Sequence, residues 1–387
     1  MRQVVILGCG FAGYHAARHI EEAIAGRRKV QLTVVAHRPE FVFSPLLASV
    51  ATGSLDAEQV TTPLADLFGP RVGFLQSPVR AIDSEAKVLR LEDGELPYDY
   101  LIVATGSRRR ADVFEGAGDL PGPDAYEEAL LLRQRLLTLR AQTPPVKLAI
   151  VGGSATGAEW AAELATALAE VELYAGTEDL SIELFEAGHR ILPDHSESMS
   201  DLAVDYLESL GVQVHVGAEV RRATHDEVEL STGEVRQVDQ VFHCAGRGGQ
   251  DLWPETAARD EYGFVKVEGD LSVQEMRGVY VAGDAASRIA GIPTTSNPQI
   301  AVQQGAWAAR NLLADMVGRA TKSFRYEDRG DFISLGRRNA ALELRGVILE
   351  GRPAWLAYRL AYAALMPRPL QRTNLLLEWV SRQFGEE

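Results

Sequence analysis

Two glycine clusters, each behind an apolar strand and ahead of a proline-free helix, predict an α/β fold with two Rossmann-like halves. The length agrees, because 387 residues exceed one ordinary domain and suffice for two or three. The composition agrees as well: 46% hydrophobic and 24% charged residues is the balance of a folded chain rather than a disordered one.

The first cluster closes the run Val4-Val5-Ile6-Leu7-Gly8-Cys9-Gly10-Phe11-Ala12-Gly13. A continuous apolar run before glycines reads as a buried parallel strand, and Tyr14 to Ala25 supplies the helix that must follow. In that setting Gly8 permits the tight turn, Gly10 lets a pyrophosphate approach the backbone, and Gly13 lets helix and strand pack closely. The phosphates then meet free N–H groups and the positive end of the helix. One irregularity stands out. The next strand, Leu32-Thr33-Val34-Val35, ends in Ala36-His37-Arg38, so the carboxylate expected on a ribose is missing or displaced to Glu40.

The second cluster repeats the pattern: Val146-Lys147-Leu148-Ala149-Ile150-Val151 leads into Gly152-Gly153-Ser154-Ala155-Thr156-Gly157 and a helix through Glu159 and Glu163. Ser154 stands where the middle glycine belongs, and its Cβ is expected to hold a pyrophosphate slightly away. The strand Ser181 to Glu186 ends in an acid, which can bond a ribose 2′-hydroxyl and repels a 2′-phosphate; NADH is thus favoured over NADPH. A degenerate half that binds nothing is the competing reading.

Other chemistries find little support. A net charge of −15 repels polyanions and argues against nucleic acid as a partner. The two cysteines, Cys9 and Cys244, form no C-x-x-C, disulfide framework or thiolate site, and the eight histidines show no metal-ligand spacing. The N-terminal apolar run is too short for a signal peptide, and no window has the roughly 18 apolar residues of a spanning helix. A cytoplasmic location, or the cytoplasmic face of a membrane, is the expectation.

Beyond the glycine loops, the chain carries Phe43-Ser44-Pro45-Leu46-Leu47-Ala48-Ser49-Val50-Ala51-Thr52-Gly53 and Tyr98-Asp99-Tyr100-Leu101-Ile102-Val103-Ala104-Thr105-Gly106-Ser107. It also carries Val279-Tyr280-Val281-Ala282-Gly283-Asp284-Ala285-Ala286 and Pro298-Gln299-Ile300-Ala301-Val302-Gln303-Gln304-Gly305. Phe324-Arg325-Tyr326, Asp328-Arg329-Gly330 and Gly336-Arg337 close the series. With these segments the chain resembles the pyridine-nucleotide-dependent flavoprotein oxidoreductases, and most of all the type II NADH dehydrogenases, which pass electrons from NADH through FAD to a membrane quinone.

The resemblance implies an architecture and a set of roles. The second Rossmann-like domain is inserted in the first: FAD domain at 1–112 and 246–320, NAD(H) domain at 113–245, and a C-terminal helical, membrane-interface region at 321–387. FAD contacts are expected from Gly8, Gly10, Phe11, Ala12, Gly13, His37, Arg38, Pro45, Ala104, Thr105, Gly106, Gly283, Asp284, Gln299 and Ile300. NADH contacts are expected from Gly152, Gly153, Ser154, Gly157, Glu159, Glu186, Ala245 and Gly246. Asp284 would bond the flavin's ribityl chain, the alternative being a turn or helix cap. Glu159 would lie near nicotinamide and flavin, and a helix-start carboxylate is also favoured by the dipole alone. Gln299 and Gln303, four apart on one helix face, would meet the quinone ring; two solvated glutamines are the plainer reading. Glu159, Gln299 and Gln303 are accordingly the catalytic candidates, with no metal expected.

The C-terminal stretch differs in composition. Pro353 to Met366 is nearly all apolar but too short to span a bilayer, and Leu376, Trp379, Val380 and Phe384 follow at helical spacing. From Arg345 to Arg382 six arginines stand against two glutamates. In an acidic chain this pair of amphipathic helices reads as a membrane-surface anchor, with a homodimer interface or packing on the core as alternatives. The implied activity is FAD-dependent electron transfer from NADH to a quinone. A soluble NADH-dependent reductase for a small carrier or diffusible acceptor and a flavin-holding protein with a disabled NAD site are the competing functions. A sulfide-oxidising relative is disfavoured because its sulfur relay needs cysteines near the flavin.

Overall fold

The computed structural model describes residues 1–25, 29–123, 125–140, 145–169, 180–287 and 297–384. The chain forms two compact units, both assembled from separated segments. The first comprises Met1–Val42, Thr62–Arg108 and Arg247–Glu327; the second comprises Phe43–Thr61, Arg109–Gly246 and Asp328–Glu387. The fold is the α/β architecture of two Rossmann-like domains, the second inserted in the first.

In the first unit the strand Arg2–Leu7 lies at the centre of a five-stranded parallel sheet, between Tyr100–Val103 and Val30–Ala36. Val279–Val281 and Val72–Gln76 form its edges. Val4, Val5 and Ile6 are essentially inaccessible to solvent, as expected of a strand covered on both faces. The helix Phe11–Ala23 packs against the helix Pro298–Met316, and Gly305 makes that approach possible. A Cβ on Gly305 would fall 2.1 Å from the Ala12 carbonyl oxygen. A small antiparallel sheet, Val79–Asp83, Val88–Leu91 and Gly94–Pro97, completes the unit and shares the core around Leu89, Tyr98 and Trp253.

The second unit repeats the plan. Val146–Val151 lies between Leu180–Glu186 and Gln240–His243 in a four-stranded parallel sheet, with Val212–Val216 outside Leu180–Glu186. A three-stranded antiparallel sheet, Val220–Ala223, Glu227–Leu230 and Val235–Gln237, again sits beside it in sequence and shares its core.

The C-terminal region begins with an antiparallel sheet, Asp331–Ser334, Ala340–Leu344 and Val347–Glu350, which the sequence reading lacked. Two helices follow, Gly351–Leu365 and Pro369–Phe384. The first buries Ala354, Trp355 and Tyr358 against that sheet while Leu356 and Leu360 stay 54% and 52% exposed. On the second, Leu370 and Leu377 are 65% and 61% exposed. The side chains of Leu376, Trp379, Val380 and Phe384 lie outside the described residues. Among the described residues, no helix is long and apolar enough to cross a membrane.

Candidate functional site

The first glycine loop is shaped by its own packing. Gly8 has φ +93°, and a Cβ there would fall 2.4 Å from the Ala104 carbonyl oxygen. A Cβ on Gly13 would fall 2.0 Å from the Gly8 carbonyl oxygen, so both positions exclude side chains for steric reasons alone. Gly10 differs: a Cβ built on it meets nothing within 4 Å among the described residues. Space is therefore left in front of the middle glycine, at a helix start that no side chain caps. That is the cradle a pyrophosphate requires.

Around this loop the same unit gathers further groups. The Thr105 hydroxyl is buried and has no hydrogen-bond partner among the described residues, which leaves it available to a ligand. Gly283, at φ +70°, opens a single turn that carries Asp284, and its N–H donates to Gln304 Oε1 at 2.7 Å. Gln304 is buried and thus braces the turn; sequence reasoning passed over it in favour of its neighbour. Phe11 packs edge-on against Phe41. Where a ribose carboxylate is lacking, Arg38 Nε donates to His37 Nε2 at 3.2 Å. Burial and the Arg38 charge lower the His37 pKa. Apart from Pro45, which lies in the 3-10 turn Ser44–Leu46 of the second unit, every residue expected to contact FAD lies in the first unit.

The helix Pro298–Met316 starts with proline at its first position, and the Asn297 side chain accepts the Gln299 N–H at 2.8 Å. Ile300 is buried. Gln303 is committed to the backbone: its Nε2 donates to the Glu327 carbonyl, and its Oε1 accepts the Glu327 N–H, each at 2.9 Å.

The second loop keeps the packing glycines. A Cβ on Gly152, at φ +111°, would fall 2.6 Å from the Ala245 nitrogen, and one on Gly157 would fall 1.9 Å from the Gly152 carbonyl oxygen. Gly246, beside Ala245, has φ +67°. Ser154 does not point its hydroxyl into open space; it donates to the Cys244 carbonyl at 3.1 Å. Glu186 reaches back to the loop, where Oε2 accepts the Gly153 N–H and Oε1 the Gly188 N–H, both at 2.7 Å. Each oxygen retains a lone pair for a ribose hydroxyl. The residues of both loops thus fit a dinucleotide.

Glu159 lies one turn into the second loop's helix. It keeps a small solvent-facing edge but is densely surrounded by protein, and burial pushes its carboxyl up to about 7. The Ser334 N–H, donated to Oε1 at 2.9 Å, and the charge of His195 oppose that rise, while Asp331 and Glu163 add to it. Glu163, one turn further, is buried and accepts the Thr52 hydroxyl at 3.0 Å. Burial, with repulsion by nearby Glu159, raises the pKa of the Tyr358 and Tyr362 phenols well above the usual range, so both stay protonated. A carboxyl that titrates near neutrality, in a largely dry setting, can both hold and release a proton at working pH.

A paired dinucleotide fold of this kind defines a flavin- and nicotinamide-dependent oxidoreductase. The pyridine nucleotide-disulphide oxidoreductase family model matches residues 2–305, and the chain belongs to that family. Among curated proteins it is 29% identical to the demethylphylloquinone reductase NdbB of Synechocystis, over 99% of this chain and 97% of that one. It is 28% identical to the type II NADH:quinone oxidoreductase Ndh of Mycobacterium tuberculosis, over 97% of this chain and 87% of that one. The NDH2 structure from Plasmodium falciparum in complex with NADH superposes with a TM-score of 0.86 at 18% identity, covering 99% of this chain and 98% of that one.

Proposed function

We propose that the protein is an FAD-dependent NADH:quinone oxidoreductase of the type II kind. One observation carries the reading: two glycine loops in a single chain both keep the tight strand–helix packing of a dinucleotide site, and each unit holds one of them. The full-length similarity to a demethylphylloquinone reductase and a NADH:quinone oxidoreductase supports a quinone as the acceptor.

FAD, when bound, would supply the two-electron redox chemistry that links NADH to the quinone. The chain does the rest. Gly8, Gly10, Phe11, Ala12 and Gly13 hold the FAD pyrophosphate, and Ala104, Thr105 and Gly106 line the same end of the parallel sheet. Gly283 and Asp284, braced by Gln304, meet the ribityl chain, with His37, Arg38, Pro45 and Ile300 contributing to the same cofactor. Gly152, Gly153, Ser154, Gly157, Ala245 and Gly246 hold NADH, and Glu186 selects its free ribose hydroxyls. Glu159 stores the proton that quinol formation consumes. Gln299 stands at the positive end of its helix on the quinone side, and Gln303 serves by fixing the Glu327 backbone there.

The exposed leucines 356, 360, 370 and 377 lie on the two C-terminal helices, and with the surrounding arginines they suit a membrane surface, where the quinone resides. A peripheral position on the cytoplasmic face of the membrane is accordingly part of the proposal. Flotation with anionic phospholipid vesicles tests that placement; a protein that stays behind and sediments as a dimer would assign those leucines to a homodimer interface instead.

The activity is tested anaerobically. NADH should bleach the bound flavin faster than NADPH does, and a short-chain quinone should restore the oxidised spectrum. A flavin that stays oxidised with NADH would overturn the reading.

A further inference from the structure

His195 and Asp331 form an ion pair beside the carboxyl of Glu159, with the imidazole buried and the aspartate partly exposed. His195 Nε2 lies 3.0 Å from Asp331 Oδ2, and the ring is only 3% exposed. Its other nitrogen, Nδ1, is buried with no hydrogen-bond partner among the described residues. Asp331 opens the strand Asp331–Ser334, whose last residue donates its N–H to Glu159, so one short strand carries both the histidine's partner and the carboxyl's donor. The ring itself is set by a tight turn after Glu186, where Leu192 has φ +50° and accepts the His195 N–H at 3.0 Å. A turn and a strand far apart in sequence thus bring a cation and an anion against a third ionisable group.

Charging a ring held inside the protein carries a desolvation cost, which the partly exposed Asp331 offsets. We propose that His195, held by Asp331, is a positioning residue that sets the charge state of Glu159 and thereby the supply of the proton that completes the quinol. The inference rests on the NADH:quinone reading above. The balance requires such a supply. NADH contributes two electrons and one proton as hydride, the quinone takes two electrons and two protons, and the second proton comes from solvent for each turnover. Glu159 gives up its carboxyl proton, becomes a carboxylate and is reprotonated from water.

Three carboxyl groups surround the His195 ring. Burial opposes its protonation, but the hydrogen bond and charge of Asp331, with Asp194 and Glu159, outweigh burial and raise the ring's pKa. Around Glu159 itself stand His195, Asp331 and Glu163, with the neutral phenols of Tyr358 and Tyr362. The imidazolium is the cation among them that favours the carboxylate form.

The test follows Glu159 directly in the FAD-loaded protein. Its protonated-carboxyl infrared band is assigned by its loss in Glu159→Gln and titrated with pH, alongside the pH profile of quinone turnover. In His195→Gln the cation is gone and the Asp331 carboxylate remains, so the carboxyl stays protonated to higher pH. The band's midpoint and the alkaline limb of turnover should both move up by about one pH unit. Removing Asp331 as well, in His195→Gln/Asp331→Asn, should reverse at least half of that shift. A purely structural ion pair would weaken both variants without moving either midpoint, and that result overturns the proposal. If His195→Gln does not fold, the ring's own NMR titration in the unaltered protein decides, with its resonance identified by the downward shift in Asp331→Asn. A midpoint at or below the ordinary histidine value overturns the proposal, whereas a midpoint above it supports the proposal. An unaltered protein that NADH and quinone cannot cycle overturns the underlying reading instead, which keeps the two failures apart.

Discussion

The two glycine loops of this chain share a turn and differ in everything that faces a ligand. In front of the middle position the first loop has Gly10 and open space, whereas the second has Ser154 with its hydroxyl tied to the Cys244 carbonyl. At the end of the following strand the first has His37, its pKa lowered by burial and Arg38, whereas the second has Glu186 bonded to two backbone N–H groups. One turn into the helix the first has His15 and the second Glu159. Burial and the charge of Arg18 lower His15 to about 4, so it stays neutral, while Glu159 is raised to about 7. The first loop therefore grips by shape and backbone amides, which suits a cofactor that stays. The second adds a polar handle that discriminates between ribose and ribose phosphate, plus a group that titrates, which suits a substrate that must be chosen and exchanged.

Matched glycine substitutions give the largest effect. In Gly13→Ala and Gly157→Ala the new Cβ would fall 2.0 Å and 1.9 Å from a backbone oxygen, so the helix must move away from its strand in either case. Gly13→Ala should purify without its yellow colour. Gly157→Ala should keep FAD yet lose NADH bleaching by about a hundredfold or more, an overpacking penalty of roughly 3 kcal/mol. Flavin-to-protein absorbance and stopped-flow reduction read the two effects. Loss of flavin in both variants would show that the loops are not independent.

The contrast at the helix start yields a pH dependence. Glu159 binds its proton more tightly when folded, at about 7 against an ordinary 4.5. Its contribution to stability is therefore complete below pH 4.5 and is lost as pH rises through 7, by up to about 3 kcal/mol. His195, also raised, acts in the same direction across its own range. Glu159→Gln should flatten this decline without abolishing it, as read from urea midpoints at pH 5 and pH 8. An unchanged slope would mean that the carboxyl titrates normally.

Much of the fold was legible because strand–glycine–helix units are local. Val4–Leu7, Leu32–Val35 and Ser181–Glu186 fall within strands of the structure, to within a residue or two at most ends. Long-range packing was not legible. Phe43–Thr61 joins the second compact unit although it follows the second strand of the first, and nothing in its own pattern announces that. Gln303 and Gln304 are neighbours on one helix, about 100° apart. Which of them turns inward depends on Gly305 seating against Ala12, and the outcome sends Gln304 to Gly283 and Gln303 to Glu327. The His195–Asp331 pair joins residues far apart in sequence, and although Asp331 follows the Asp328-Arg329-Gly330 segment, neither local pattern names the other as its partner.

The acid of the second loop should show an intermediate effect. Glu186→Ala removes the carboxylate that meets the ribose and leaves the Gly153 and Gly188 N–H groups without an acceptor. With about 1–3 kcal/mol at stake, the KM for NADH should rise roughly tenfold to a hundredfold, and the preference over NADPH should shrink by a similar factor. FAD content should not change, since the first loop has no equivalent carboxylate to lose. A variant with the original preference would move nicotinamide selection elsewhere.

Ser154→Gly restores the glycine that the first loop has, and so asks whether the middle position accounts for the difference between the loops. The hydroxyl is bonded to the Cys244 carbonyl, so Oγ is held there rather than swinging into the ligand, and only the backbone-fixed Cβ faces the site. The hydrogen bond contributes about 1 kcal/mol, which the variant should lose from its unfolding free energy. The KM for NADH should then stay within about threefold, because the packing glycines and Glu186, not the middle residue, define the second site. A tenfold fall in KM without loss of stability would give the opposite lesson: Ser154 would be holding the pyrophosphate away, and the second loop would be tuned for release rather than for grip.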